Sequence, residues 1–429
     1  MKDPGYKRFI VLLLCLSMIG TMFLASCGKE EEEEEPPAPP SNSLTGETAE
    51  DGYDESASDR RIAAFVVENA PDARPQWGMD DENYSPDVVI QGEVEGGITR
   101  TLWLYADYNK LPSQIGPMRS ARPPFIRFSE LFDSIFIHWG MSHSKGDYVG
   151  ASTVFKKDNV DHINQMTYDD QVGLYDRDHS RNVSSEHTGI VYGDKVPAAI
   201  EGEGFRTTPN EYTKFCFRNT GNAEVPLSET DATKIGVRYS SRSFEDTYWQ
   251  YNEEDGMYHT SDFENDFKRD NLLILYDDTE YITKYDYQGG GGGAVTYCDY
   301  KLAGGKGQLF SKGKVKDIEW EVEDGKLVLK DPSFSVSTME ELDAIQARNK
   351  ELRKIARGEL EEAEADKEEA EGEVTQNEEI FLVMPEAEEG EELAEEDILA
   401  GTYALQPLNK GKTWIGWVSR NNDGQVSVS

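Results

Sequence analysis

Cysteine is scarce, with four in 429 residues, so a scaffold stapled by several disulfides is excluded. Positive charge is in the minority too: 43 Lys and Arg against 83 Asp and Glu give a formal net charge of -40. That balance excludes nucleic acid and anionic lipid as partners of the body as a whole, because both are held by basic surfaces. Beyond residue 25 no apolar run approaches the ~18 residues that a membrane helix needs. The signatures of common chemistries are missing as well. There is no His-Glu-x-x-His pair, and Asp176-x-Asp178 lacks the glycine that a calcium loop requires next. Gly140-Met141-Ser142-His143-Ser144 lacks the second glycine of a nucleophile elbow. Gln406 stands where a phosphate loop ending in Gly411-Lys412-Thr413 would need glycine.

What is present begins with Lys2, Lys7 and Arg8, followed by an apolar run from Phe9 to Ala25 and then Ser26-Cys27-Gly28. A basic start, a short apolar stretch and small residues before a cysteine predict a secretory leader over 1–26, with Cys27 lipidated as the first mature residue. Glu30 to Glu35 and the prolines 36, 37, 39 and 40 follow. Like charges repel, prolines stiffen and little is available to bury, so 27–60 is expected to be a disordered stalk. With Cys15 in the leader and Cys27 lipidated, Cys216 and Cys298 remain, either as one bridge or as two buried thiols.

The body opens at Arg61. Ile62 to Val67, Val88 to Ile90, Thr101 to Tyr105 and Ser134 to His138 are predicted strands, and Pro124 to Leu131 a helix. Trp249 to His259 predicts a hairpin, Leu272 to Tyr276 a buried strand, Ile318 to Leu329 a second hairpin and Trp414 to Val418 a last strand. Gly289 to Gly293 falls between strand-like segments and is read as a hairpin loop. The fold class is α+β, in two domains of mixed sheets with few helices, 61–205 and 206–429. The second carries an acidic low-complexity insertion over 339–399, in which Leu342 to Ile355 is read as an isolated amphipathic helix.

Several segments carry a family resemblance. They are Ala73-Arg74-Pro75-Gln76, the run from Val94 to Arg100, the run from Ile115 to Pro123, Asp176-Arg177-Asp178, and Asn409 to Ile415. Through these the chain resembles the YerB-like family of bacterial lipoproteins, a family of unknown function with an N-terminal and a C-terminal domain. The resemblance runs from about Arg61 to Val418 and implies no particular activity. The chain departs from the family pattern at His138 to His143 and at Asn182 to Ser185.

Arg119-Ser120-Ala121-Arg122 lies between Gly116-Pro117 and Pro123-Pro124, a stiff segment that presents two guanidinium groups. Each can donate two parallel hydrogen bonds to a carboxylate or phosphate. Arg74, Arg100 and Glu95 are candidates for the same binding cluster, and internal pairing with Glu93 and Glu95 is the competing arrangement. Glu93 and Glu95 share one face of an extended segment, so they are weak candidates for an acid/base pair. His138, His143, Asp161, His162, His179 and His187 have no metal-ligand spacing, and no metal or cofactor is expected. The leading expectation is an anchored protein outside the cytoplasm that binds an anionic or polyhydroxyl component of the cell envelope. The alternatives are a cell-wall hydrolase or transferase using a glutamate, and a scaffold that recruits partners through its acidic insertion.

Overall fold

The computed structural model describes residues 40–218, 227–264, 266–286, 292–356, 378–387 and 393–429. The leader, Cys27 and residues 357–377 and 388–392 of the acidic insertion expected over 339–399 lie outside them. The first half contributes β1 (Ala63–Glu68), β2 (Val88–Glu93), β3 (Thr99–Tyr105), β4 (Ile135–His138), β5 (His162–Asn164), β6 (Tyr175–Arg177) and β7 (Gly189–Val191). Its helices are Pro123–Glu130, Ala151–Asp158 and Val196–Glu203. Next come β8 (Lys234–Arg238), β9 (Thr247–Asn252), β10 (Met257–Thr260), β11 (Phe267–Arg269), β12 (Asn271–Asp277), β13 (Thr279–Lys284) and β14 (Val295–Tyr300). The rest are β15 (Gly305–Ser311), β16 (Lys314–Glu323), β17 (Lys326–Lys330), β18 (Leu382–Val383), β19 (Tyr403–Ala404), β20 (Thr413–Ser419) and β21 (Gln425–Val428), with helices Met339–Ala356 and Glu395–Gly401. Mixed sheets with few helices make the protein α+β.

Ten strands form one sheet in the order β17-β16-β15-β12-β20-β2-β3-β1-β4-β5. The join between its halves is β20, which runs parallel to β2 on one side and to β12 on the other. Residues 61–205 and 206–429 therefore share a sheet, and position 205 is not a gap between two sheets. Both faces of the sheet are covered, which is why its strands read as near-continuous apolar runs. Side chains alternate across it. Ala64 and Val66 enter the core on one face, with Phe128, Trp320 and Trp417. Phe65 and Val67 enter the core on the other, with Trp103, Trp249 and Trp414.

The five-stranded sheet β11-β10-β9-β8-β21 packs its apolar side on that second core, where Trp249 meets Trp414 at 5.2 Å between ring centroids. The β13–β14 hairpin spans the polyglycine stretch, part of which lies outside the described residues. Pro123 and Pro124 occupy the first two positions of their helix, where a missing N–H leaves no intrahelical bond unmade.

Residues 40–60, expected as stalk, are packed on the body. Leu44 is fully buried, Thr45 O accepts from Gly411 N at 2.8 Å, and Lys410 pairs with Asp51 at 2.8 Å. The polar average of this stretch concealed its one anchoring leucine. The helix Met339–Ala356 is not isolated either: Leu342 is fully buried, and the Asn349 side chain exchanges two hydrogen bonds with the backbone of Ile380. Cys216 and Cys298 are free thiols. Burial pushes both up, Cys216 to about 11, so neither is a ready thiolate near neutral pH.

Candidate functional site

Strands β1, β2 and β4 point the same way, since β4 is parallel to β1 and both β1 and β2 are antiparallel to β3. Their carboxyl ends carry Glu68, Glu93 and His138, and Arg100 enters β3 at the same edge. In open sheets with parallel strands, the crevice beyond the carboxyl ends is where ligands sit. The loops over this edge hold most of the residues singled out from the sequence.

Glu95 lies in the turn between β2 and β3, where Gly96 and Gly97 both adopt positive φ. Gly97 has no room for a side chain, because a Cβ would come within 2.1 Å of Arg242 O. Arg122 grips Glu95 bidentately, through Nε to Oε2 at 2.8 Å and through Nη2 to Oε1. Arg100 approaches the same carboxylate at 3.6 Å and donates to Ser120 O at 2.6 Å. Burial works against the Glu95 charge, but Arg122 and Arg100 outweigh it and hold the carboxyl down at about 2. A carboxyl that stays ionised at all ordinary pH cannot serve as a general acid. Arg100 is pushed down to about 10 by its burial, with Arg122 and Arg119 adding to the effect.

Arg119 faces a different carboxylate. Its Nε meets Glu68 Oε1 at 3.2 Å, and its Nη1 reaches Glu186, by a hydrogen bond to the backbone O at 3.1 Å and an ion pair with the carboxylate at 3.5 Å. The other oxygen of Glu68 meets His187 Nδ1 at 2.8 Å. Glu68 is almost wholly buried, whereas the Arg119 side chain is 24 % exposed and Glu186 58 %. Glu68 escaped the sequence reading because it ends an apolar strand. A lone charge closing such a run was the available signal. His187 had been weighed only as a scattered histidine.

The remaining candidates separate. Ser120 Oγ donates to Trp139 O at 3.0 Å, which ties the arginine loop to β4. Arg74 stands apart, donating to Asn69 O and Glu245, both at 2.9 Å. Glu93 does not join Glu95. It accepts from Ser240 Oγ at 2.5 Å and Tyr281 Oη at 3.0 Å, is 1 % exposed, and has its carboxyl pushed up by burial. The competing arrangement, internal pairing, thus describes Glu95, Arg100 and Arg122, while Arg119 keeps an outward aspect.

Beneath the loop lies a histidine pair. His138 Nδ1 is 2.6 Å from Gly140 O, and its Nε2 is 2.9 Å from His162 Nδ1. A carbonyl only accepts, so the His138 proton sits on Nδ1, and Nε2 accepts from His162. Gly140 O also accepts from Ala121 N at 2.9 Å, which makes the neutral imidazole a strut under the arginine segment. Burial, and then neighbouring His162, push His138 down to about 3. Among the described residues, no group of three or more His, Cys, Asp or Glu is arranged to hold a metal ion.

This architecture matches known proteins. A family model described as "Protein of unknown function (DUF3048) N-terminal domain" matches residues 44–206, beginning at the buried Leu44. The protein named "Putative lipoprotein YerB", from Bacillus subtilis, is 27% identical over 333 residues, covering 75% of this chain and 89% of the relative. The chain is similar to the YerB-like proteins. A crystal structure of the YerB protein from Bacillus subtilis shares the fold with a TM-score of 0.57 at 21% identity, covering 90% of this chain and 99% of that one.

Proposed function

We propose that this YerB-like chain is anchored to a membrane by lipid on Cys27, faces the extracytoplasmic side, and holds an anionic or polyhydroxyl envelope ligand at Arg119. The observation that carries the binding reading is a charge imbalance at the carboxyl edge. Three guanidinium groups, Arg100, Arg119 and Arg122, face two buried carboxylates, Glu68 and Glu95, so one positive charge is left over inside the cluster. Glu186 balances it only from the surface. Such exposed ion pairs are worth about 0–1 kcal/mol, so an incoming anion can displace that carboxylate at little cost. Arg100 and Arg122 are spent on Glu95. In this reading they position the loop, and Arg119 touches the ligand.

The test is retention of soluble fragments released from bacterial cell walls. Wild-type protein should retain them, and Arg119→Ala, first confirmed as folded because it removes the guanidinium that faces buried Glu68, should weaken retention by tenfold or more. Equal retention by the variant, or none by the wild type, would contradict the reading.

A further inference from the structure

The five-stranded sheet has a second face that the core does not use. Strict alternation sends Ile235, Val237, Trp249, Tyr258 and Phe267 inward, all buried. The registers place the intervening residues in two adjacent rows on the other side. One row runs Ser427–Gly236–Tyr248 across β21, β8 and β9, and the next runs Lys234–Gln250–His259–Lys268 across β8 to β11.

An exposed face of this kind is ordinary in antiparallel sheets, but this one is hollowed. The middle of the first row is a glycine, and a Cβ there would meet Ser427 Oγ at 2.7 Å and the edge of the Tyr248 ring at 3.1 Å. A hollow of about 560 Å³, with Tyr248, Gln250 and Ser427 in its lining, lies along this face. A second hollow of about 600 Å³ shares Gln250 and His259 with it and extends it past the end of β9.

The polar groups along the trough are held in place. His259 is clamped between Asp255, 2.8 Å from Nε2, and Asp266, 3.3 Å from Nδ1. The Tyr248 hydroxyl donates to Asp246 at 3.3 Å, while its ring stays 57% exposed. Lys268 approaches Asp255 at 3.7 Å, so cations and carboxylates offset one another along the row. That balance disfavours a strongly charged ligand. An exposed aromatic ring beside planar amide and imidazole groups, with hydroxyls across a narrow gap, suits a sugar ring. Such a ring has an apolar face for the aromatic and hydroxyls for the rest.

We infer that this trough binds a neutral oligosaccharide, with Tyr248 as the stacking platform and Gln250 and Ser427 as the hydroxyl-reading groups. The site is separate from the arginine cluster and does not rest on it. The test is binding of the full chain to an array of neutral and anionic oligosaccharides, with Tyr248→Phe and Tyr248→Ala alongside the wild type. Neutral glycans should be retained by the wild type and Tyr248→Phe, and weakened at least tenfold in Tyr248→Ala. The inference is overturned if no neutral glycan is retained, if only anionic glycans are, or if Tyr248→Ala binds as well as the wild type.

Discussion

Replacing Glu95 by alanine is expected to lower the free energy of unfolding by about 3–5 kcal/mol, the usual consequence of removing one partner from a buried ion pair. Among the described residues, Glu95 is the one carboxylate gripped by Arg122, and Arg100 shares it. Both arginines are almost fully buried, so removal strands two desolvated cations that repel each other. Glu95→Gln should recover part of the loss, since its amide oxygen still accepts from Arg122 Nε. Urea denaturation of the two variants beside the wild type reads the difference directly. A change below about 1 kcal/mol in Glu95→Ala, the worth of an exposed pair, would mean that the cluster is solvated and that its arginines are free to meet a ligand.

The second large effect is a loss of stability on mild acidification, traceable to His138. Its folded value, about 3, lies below the ordinary histidine value of about 6.5. A group depressed on folding contributes stability that is complete above its unfolded value and is lost as pH falls through the window down to its folded value. Between pH 6.5 and 4.5 the wild type should therefore lose about 2–3 kcal/mol relative to His138→Leu, at roughly 1.4 kcal/mol per pH unit for one proton. Glu130 runs the other way. Burial, and then nearby Asp158, raise it to about 7, so its contribution grows on acidification. That term is common to both proteins and cancels in the comparison. Parallel stability profiles for the two would show that His138 is not the buried neutral strut described above.

How much of this was legible beforehand depends on the range over which each signal acts. The strands of the main sheet stood out because both of its faces are buried, so Ala63 to Val67 and Leu272 to Tyr276 are apolar without interruption. The hairpin of β16 and β17 was marked by Asp324-Gly325, both with positive φ. The merging of the two halves was not legible, because it depends on β20 pairing with β2 from the far end of the chain, and no local pattern encodes such a partner. The same holds for residues 40–60, where one buried leucine decides the packing.

At the site, the types of residue were legible and their partners were not. Glu93 and Glu95 look equivalent in an extended segment, but the turn at Gly96 and Gly97 sends them to different neighbours. Glu93 goes to Ser240 and Tyr281, and Glu95 goes to the arginines. Arg119 and Arg122 likewise divide between Glu68 and Glu95. A two-carboxylate mechanism loses its geometric basis through that separation.

The anchoring at Cys27 is tested most directly by the mass of the N-terminal peptide from protein extracted from membranes. The expected result is a peptide that begins at Cys27 and carries the added mass of acyl chains, with Cys27→Ser protein absent from the membrane fraction. A peptide that runs unmodified through Cys27 from an intact leader would contradict it.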